Sequence, residues 1–323
     1  MSSGDKKRQI LDILNILRQK ATAEGEKFRA IAFSKAIKAI EKLPAVQSIA
    51  DITDVPGVGS GVKDRVAEVF ATGQLQEAET AKEDYSLEAY NILQEVQGIG
   101  PVKARDLIKQ GIKTIDGLRS AADATPELLT HAQTVGLRFL DDLKKRIPRA
   151  EMEKHEAYVR RQLPKEFEMV VVGSYRRGLP TSGDFDVMIT SRHLSELVAA
   201  SHFQQFIDLL VDEGYIRGEF ARGEHKFMGV CRLPRHQTHR HVDLLLCKPE
   251  EYWYTILYFT GSDVFNVSMR RHALSKGYSL SEHGLKRVRD GVPVPPAMNS
   301  EKDIFDFLGL SYVKPEDRIN PLA

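Results

Sequence analysis

The sequence predicts an α+β chain in which an all-helical N-terminal half precedes a half built on a mixed β-sheet with helices. Three observations carry this. Apolar residues first recur at helical spacing, as Ile10, Leu11, Leu14 and Leu17, then as Phe28, Ile31, Phe33, Ile37 and Ile40. From about Pro148 they come instead in short runs of strand length, at 169–172, 185–190, 227–233 and 242–247. Between the two regimes one glycine motif occurs twice. At 323 residues the chain exceeds what a single hydrophobic core usually serves, so two or more domains are expected. No apolar run approaches the roughly 20 residues of a membrane-spanning helix. The start, Met1-Ser2-Ser3-Gly4-Asp5-Lys6-Lys7-Arg8, leads into an amphipathic helix rather than a secretory segment, and its three basic residues are too few for a nuclear signal.

The glycine motif reads Val55-Pro56-Gly57-Val58-Gly59 and then Val96-Gln97-Gly98-Ile99-Gly100-Pro101, 41 residues apart and each flanked by helical pattern. This is the helix-hairpin-helix arrangement. Gly57, Gly59, Gly98 and Gly100 let the backbone approach a DNA phosphate, and the helix that follows offers its N-terminal N–H groups to the same anion. Such a contact grips DNA without reading its sequence. One copy alone would serve equally as a turn joining two helices; two copies favour DNA once the second half is read. The formal net charge is only +1, so the DNA-facing surface must be a local patch offset by acidic faces elsewhere.

In the second half the run 169–172 ends at Gly173-Ser174-Tyr175-Arg176-Arg177-Gly178, where free backbone N–H groups and the Arg177 fork suit a triphosphate. Alternatively, Arg176 and Arg177 open a solvent-facing helix. Ser182-Gly183-Asp184-Phe185-Asp186-Val187 follows, then a helix at 203–213, a strand after Lys226, and His241-Val242-Asp243-Leu244. Residues two apart in an extended strand share a face, so Asp184 and Asp186 project together while Phe185 and Val187 face the core. A neighbouring strand can lay Asp243 beside them. Three clustered carboxylates repel one another unless a hard divalent cation sits between them, and Mg²⁺ suits oxygen ligands. Two such ions about 3.5–4 Å apart clamp the attacking and leaving oxygens of a phosphoryl transfer. A lone Asp-x-Asp is more often a solvated turn; the surrounding pattern selects the metal reading. Beyond lie a helix at 250–259 with Trp253, Leu257 and Tyr258, a Gly261-Ser262 break, and a helix at 263–276. A loop carrying Pro293, Pro295 and Pro296 precedes a last short helix at 304–308. Cys231 and Cys247 each lie in an apolar strand pattern and read as buried thiols in a reducing compartment, neither a disulfide nor a metal pair.

Taken together, the 173–178 and 182–186 motifs, Lys226-Phe227-Met228-Gly229-Val230-Cys231, Tyr258-Phe259-Thr260-Gly261-Ser262 and the closing Ser300-Glu301-Lys302-Asp303-Ile304-Phe305-Asp306 resemble family X DNA polymerases. The likeness is to the beta type, with lambda-type wording in Ser279-Leu280-Ser281-Glu282-His283, and runs from about Phe28 to Arg318. It implies a helical lyase-like domain at 1–80, a helical DNA-binding subdomain at 81–147, a nucleotidyltransferase palm at 148–249, and a small α+β nucleotide-binding subdomain at 250–323. It implies catalysis by Asp184, Asp186 and Asp243 with two Mg²⁺ ions, for which Mn²⁺ can substitute. It assigns the triphosphate to Arg146, Ser174, Arg177 and Gly183, and the sugar to Tyr258, Phe259 and Gly261. The base falls to Asp263 and Asn266, the template side of the nascent pair to Arg270, and the template backbone to Lys226. Without the adjoining break, Tyr258 and Phe259 would read as core aromatics. Carbonyls of Thr53, Val55 and Val58, and of Gln94, Val96 and Ile99, would each hold a Na⁺ or K⁺ ion. Gapped or primer-template DNA and dNTPs are the implied partners of a monomer, nuclear if the cell is eukaryotic. No interaction module is expected ahead of residue 1.

The departures are as informative as the matches. His241 stands where beta-type relatives have Arg, Leu245 replaces an Arg, and Val267 replaces a basic residue. The short 234–239 connection points to template-directed synthesis, with end joining or template-independent transfer as the alternative and a non-catalytic scaffold as the third reading. Tyr258-Phe259 points to dNTP over NTP. Where the family's lyase has its Schiff-base Lys, this chain has Arg65, which stays protonated and is no amine nucleophile. Gly61, Glu77 and Phe33 replace supporting residues, and residues 1–85 carry 13 basic and 13 acidic side chains. Lyase activity is therefore expected to be weak or absent unless Lys63, on a different helical face, substitutes.

Overall fold

The computed structural model describes residues 3–83, 85–294 and 298–322. The chain divides into two compact units, Met1–Gln133 and Thr134–Ala323.

The first unit is helical among its described residues: α1 (Ser3–Glu24), α2 (Lys27–Glu41), α3 (Ala50–Thr53), α4 (Ser60–Thr72), α5 (Gln76–Glu83), α6 (Tyr85–Leu93), α7 (Pro101–Lys109) and α8 (Ile115–Ala124), with α9 (His131–Leu143) crossing the division. Ile10, Leu14 and Leu17 of α1, Phe33, Ile37 and Ile40 of α2, and Val62, Val66 and Val69 of α4 form one core. Phe28, Ile31, Phe33, Ile37 and Ile40 all lie on α2 as their spacing predicts, but two of them are not buried. Phe28 is 91% exposed and Ile31 51% exposed, because the buried stripe of α2 starts only at Phe33.

Both hairpins have the same construction. Gly57 (φ +95°) and Gly98 (φ +86°) occupy the left-handed region that a side chain disfavours. Gly59 and Gly100 are the extended N-caps of α4 and α7, with open space where a Cβ would stand. Neither cap supplies a side-chain acceptor, so the first N–H groups of both helices are left for an outside anion.

The second unit runs β1 (Ile147–Pro148), α10 (Arg149–Gln162), β2 (Glu168–Val171), α11 (Gly173–Arg176), β3 (Thr181–Ser182), β4 (Phe185–Thr190), α12 (Glu196–Asp212), β5 (Ile216–Arg222), β6 (Lys226–Cys231) and β7 (Arg240–Leu246). It continues with α13 (Tyr252–Thr260), α14 (Asp263–Ser275), β8 (Tyr278–Ser281), β9 (Gly284–Arg287) and α15 (Glu301–Phe307). Five strands form a mixed sheet in the order β2-β4-β7-β6-β5; β4 and β7 are parallel and the other neighbours antiparallel. Alternation along β4 sends Phe185, Val187 and Ile189 into a core with Met152 and Val159 of α10 and Phe203, Phe206 and Leu210 of α12. Met188 goes to the other face, against Ile256 of α13.

Three expectations needed correcting. The helix of 203–213 begins seven residues earlier, at Glu196, because Leu197 and Val198 are exposed and break the apolar stripe. Strand β5 carries few apolar residues at the sheet edge and left no periodic signal. The 277–300 segment is not all loop, since β8 and β9 pair as a hairpin whose Tyr278, Leu280 and Leu285 join the core around Phe265 and Phe305. Of its prolines, Pro295 and Pro296 lie outside the described residues.

Candidate active site

Parallel pairing of β4 with β7 sets Asp186 directly opposite Asp243, one strand spacing away, and Asp184 stands just ahead of β4. All three belong to the sheet face turned away from α10 and α12. Burial first, then the negative charges of Asp184 and Asp243, push the Asp186 carboxyl well above the usual carboxylate range. Gly173 (φ +60°) is what makes room: a Cβ there would come 2.5 Å from Asp186 Oδ2. The glycine of the 173–178 turn thus serves the carboxylate as well as the backbone, a role with no signal in the local sequence.

Asp243 lies 3.7 Å from Lys226 Nζ and 3.2 Å from His241 Nε2. The His241 contact is not aligned as a hydrogen bond, so Asp243 Oδ1 and His241 Nε2 are both buried without a partner. The His241 ring packs edge-on against Phe220 at 5.4 Å. Among the described residues no three His, Cys, Asp or Glu side chains stand in metal-cage geometry. The carboxylates are adjacent but Asp243 is turned toward Lys226.

The cationic side follows the chain. Arg146 bonds Thr181 twice, Nε to Oγ1 at 3.1 Å and Nη2 to the carbonyl at 2.7 Å, and its Nη1 passes 3.4 Å from the Cβ position of Gly183. Arg177 donates to the Thr260 carbonyl and faces Asp263, Asp184 and Asp186; its guanidinium pKa is lowered by burial against the pull of those acids. A Cβ at Gly261 would stand 3.1 Å from Arg177 Nη1. Ser174 is half-buried on α11. Arg176 is no solvent-facing helix start: it forks onto Glu301, with Nη2 to Oε2 at 2.7 Å, and donates to Thr260 Oγ1.

Tyr258 and Phe259 meet edge to face at 4.9 Å. Phe259 joins the Val172–Met188 cluster, so for it the core reading holds as well. Asn266 Nδ2 donates to the Tyr258 carbonyl at 2.7 Å, and the Arg270 guanidinium sits 4.7 Å over the Tyr258 ring. Asp263 opens α14, whose Ser262 cap accepts from the Phe265 N–H. Cys231 and Cys247 are buried free thiols, their pKa values pushed up by burial to about 12 and about 11.

In the first unit a cavity of about 620 Å³ lies between α2 and the first hairpin, lined by Phe28, Arg29, Phe33, Gly59, Gly61 and Arg65 among others. Arg65 is held at two of its nitrogens: Nε bonds Glu77 at 2.7 Å, Nη1 bonds the Gly61 carbonyl at 2.7 Å, and the guanidinium lies over Phe33. Arg29 pairs with the same Glu77. Lys63 is not one of the lining residues. At the hairpins, the Val55 and Val96 carbonyls already accept from Val58 and Ile99 N–H groups; Thr53 and Gln94 side chains bond back one helical turn.

Comparison with known proteins accounts for almost the whole chain. Residues 5–75 match a helix-hairpin-helix domain and 91–144 the fingers domain of DNA polymerase lambda. Residues 146–249 match the DNA polymerase beta palm and 255–319 the DNA polymerase beta thumb. The DNA polymerase lambda of Arabidopsis thaliana is 31% identical over 97% of this chain and 62% of its own length. That of Rattus norvegicus is 33% identical over 96% of this chain and 56% of its own. The chain thus spans about three-fifths of the length of these relatives. With helix-hairpin-helix, fingers, palm and thumb matched in that order, the chain belongs to the family X DNA polymerases.

Proposed function

We propose that this chain is a template-directed DNA polymerase that adds dNTPs to a primer 3′-hydroxyl and fills short gaps in DNA during repair of the base excision type. The observation that carries it is the in-register pair Asp186–Asp243 on parallel strands with Asp184 at their head. The donor set fits divalent cations: three hard oxygen ligands, one orphaned buried oxygen on Asp243, and an Asp186 that is costly to ionise alone. Asp184 and Asp186 would hold the ion that accompanies the nucleotide, and all three aspartates the other. When bound, two Mg²⁺ ions supply charge neutralisation at the attacking and leaving oxygens. Asp243 is our candidate acceptor for the 3′-hydroxyl proton. Arg146, Ser174, Arg177 and Gly183 bind the triphosphate, Tyr258, Phe259 and Gly261 border the sugar, and Asp263 and Asn266 meet the base. Arg270 faces the template, and Lys226 leaves Asp243 for the template backbone. Positioning and charge do the chemistry.

We further propose that the hairpins at Gly57, Gly59, Gly98 and Gly100 hold DNA phosphates. Na⁺ or K⁺ would bind carbonyls of Thr53, Val55 and Val58, and of Gln94, Val96 and Ile99. The domain limits after residues 80, 147 and 249 belong to the same proposal. Buried thiols suit a reducing, DNA-containing compartment, the nucleus in a eukaryote. Among the described residues, no helix is long and apolar enough to cross a membrane.

The test is Mg²⁺-dependent incorporation of one dNTP into DNA with a one-nucleotide gap. Incorporation dictated by the template base supports the proposal. Extension of unpaired 3′ ends without template preference would instead select a template-independent transferase, and no incorporation would leave a scaffold.

The lyase step is proposed to be weak or absent, since Glu77 and the Gly61 carbonyl hold the arginine that replaces the amine. Borohydride should trap no adduct between the protein and a 5′-deoxyribose-phosphate end, whereas Arg65→Lys should acquire one. An adduct with the parent protein that vanishes in Lys63→Ala would assign the step to Lys63.

A further inference from the structure

Arg240 is buried at 6% exposure, three residues before Asp243, yet it touches none of the carboxylates of the site. Its fork grips Glu151 on the first turn of α10, Nε to Oε1 at 2.7 Å and Nη2 to Oε2 at 2.8 Å. Its remaining arm, Nη1, donates to the carbonyls of Lys145 at 3.0 Å and Arg146 at 3.3 Å. A buried ion pair of this kind seldom adds net stability over an apolar pair of the same volume. What it adds is geometry.

The two backbones that meet at Arg240 are unequally held. Asp243 is secured by ladders to β4 and β6 on both sides of β7. Arg146 precedes β1, a two-residue strand paired only with Thr181 and Ser182. The Arg146 carbonyl therefore depends on Arg240 far more than Asp243 does. From that carbonyl the Arg146 side chain leaves toward Thr181 and Gly183, the residue before Asp184.

We propose that Arg240, locked by Glu151, is a positioning residue for nucleotide binding: it fixes the Arg146 backbone so that the Arg146 guanidinium meets the triphosphate of the incoming dNTP. The inference rests on the triphosphate role proposed above for Arg146. It assigns the effect to dNTP affinity and leaves primer-template affinity unchanged.

The experiment measures dNTP affinity in the Mg²⁺ complex with gapped DNA carrying a dideoxy-terminated primer, where no reaction follows. The proteins are the parent, Arg146→Ala, the volume-matched pair Arg240→Met with Glu151→Met, all three changes together, and Arg240→Lys. Loss of one charge-assisted contact weakens binding by about tenfold to a hundredfold, which is the effect expected of Arg146→Ala. The Met pair should weaken dNTP about tenfold, with thermal unfolding and DNA affinity near the parent's. All three changes together should be no worse than Arg146→Ala alone, because coupled residues are not additive. Arg240→Lys, which keeps the charge but not the fork, should fall between. Parental dNTP affinity in the Met pair, or losses that multiply, would overturn the proposal and leave a plain structural staple. Should the Met pair fail to fold, Arg240→Lys decides in the same way. An Arg146→Ala protein that binds dNTP as the parent does would sink the triphosphate assignment itself, and this inference with it.

Discussion

Asp186→Asn should abolish templated incorporation, by roughly 10³-fold or more in rate, about 4 kcal/mol of transition-state stabilisation. The same change should stabilise the folded protein when divalent cations are removed. Burial and the charges of Asp184 and Asp243 raise the Asp186 carboxyl pKa in the native state. Folding then takes up a proton at any pH between the unfolded value, near 3.8, and the raised native value. Stability accordingly falls as pH rises through that window and stays low above it. An amide at 186 removes the penalty, so thermal unfolding in EDTA at pH 8 should occur at higher temperature in Asp186→Asn than in the parent, with the gap closing toward pH 4. Adding Mg²⁺ should raise the parent's unfolding temperature and leave the variant's nearly unchanged. If the parent were the more stable protein in EDTA at pH 8, the three carboxylates would not share one field and the metal reading would lose its support.

Glu301→Gln should cost about 3–5 kcal/mol of folding free energy, the usual consequence of removing one partner from a buried ion network. Glu301 is 4% exposed and bonds two arginines: Arg176 at 2.7 Å and Arg318 at 2.6 Å. Arg318 is fully buried, with the rings of Phe265, Phe305 and Tyr312 around its guanidinium. Burial opposes ionisation of Glu301, yet the two guanidinium groups hold its pKa below the ordinary carboxylate value. Because Arg176 adjoins Arg177 and also bonds Thr260, the variant should weaken dNTP binding along with the fold. Urea unfolding followed by a probe in the second unit checks the first effect. A shift below about 1 kcal/mol, the scale of an exposed pair, would mean the network is solvated.

The shared face of Asp184 and Asp186 was legible because its signals are local. Asp184 and Asp186 sit two apart around Phe185, and period-two alternation alone sends Phe185 to the core and both carboxylates to the other face. The run 185–190 coincides with β4 for the same reason: both its faces are apolar after Asp186, so strand length and composition agree. Both hairpins were legible because positive φ at Gly57 and Gly98 and an open N-cap at Gly59 and Gly100 are properties of single residues. Edge strand β5 was not, since a half-exposed strand needs little apolar content. Phe28 lies on α2 as its spacing predicts yet is 91% exposed, since periodicity reports which residues are apolar and not which of them are buried.

By itself the sequence determined the fold class, both glycine hairpins and the strand that carries Asp186. Only the tertiary structure decided which charges meet. Arg176 reaches across 125 positions to Glu301, Arg240 across 89 to Glu151, and Gly173 yields its missing side chain to Asp186. A residue's chemistry and its strand or helix period are set by near neighbours along the chain. The partner of a buried charge is set by which strands pair and in what register, and that is a property of the whole packed unit.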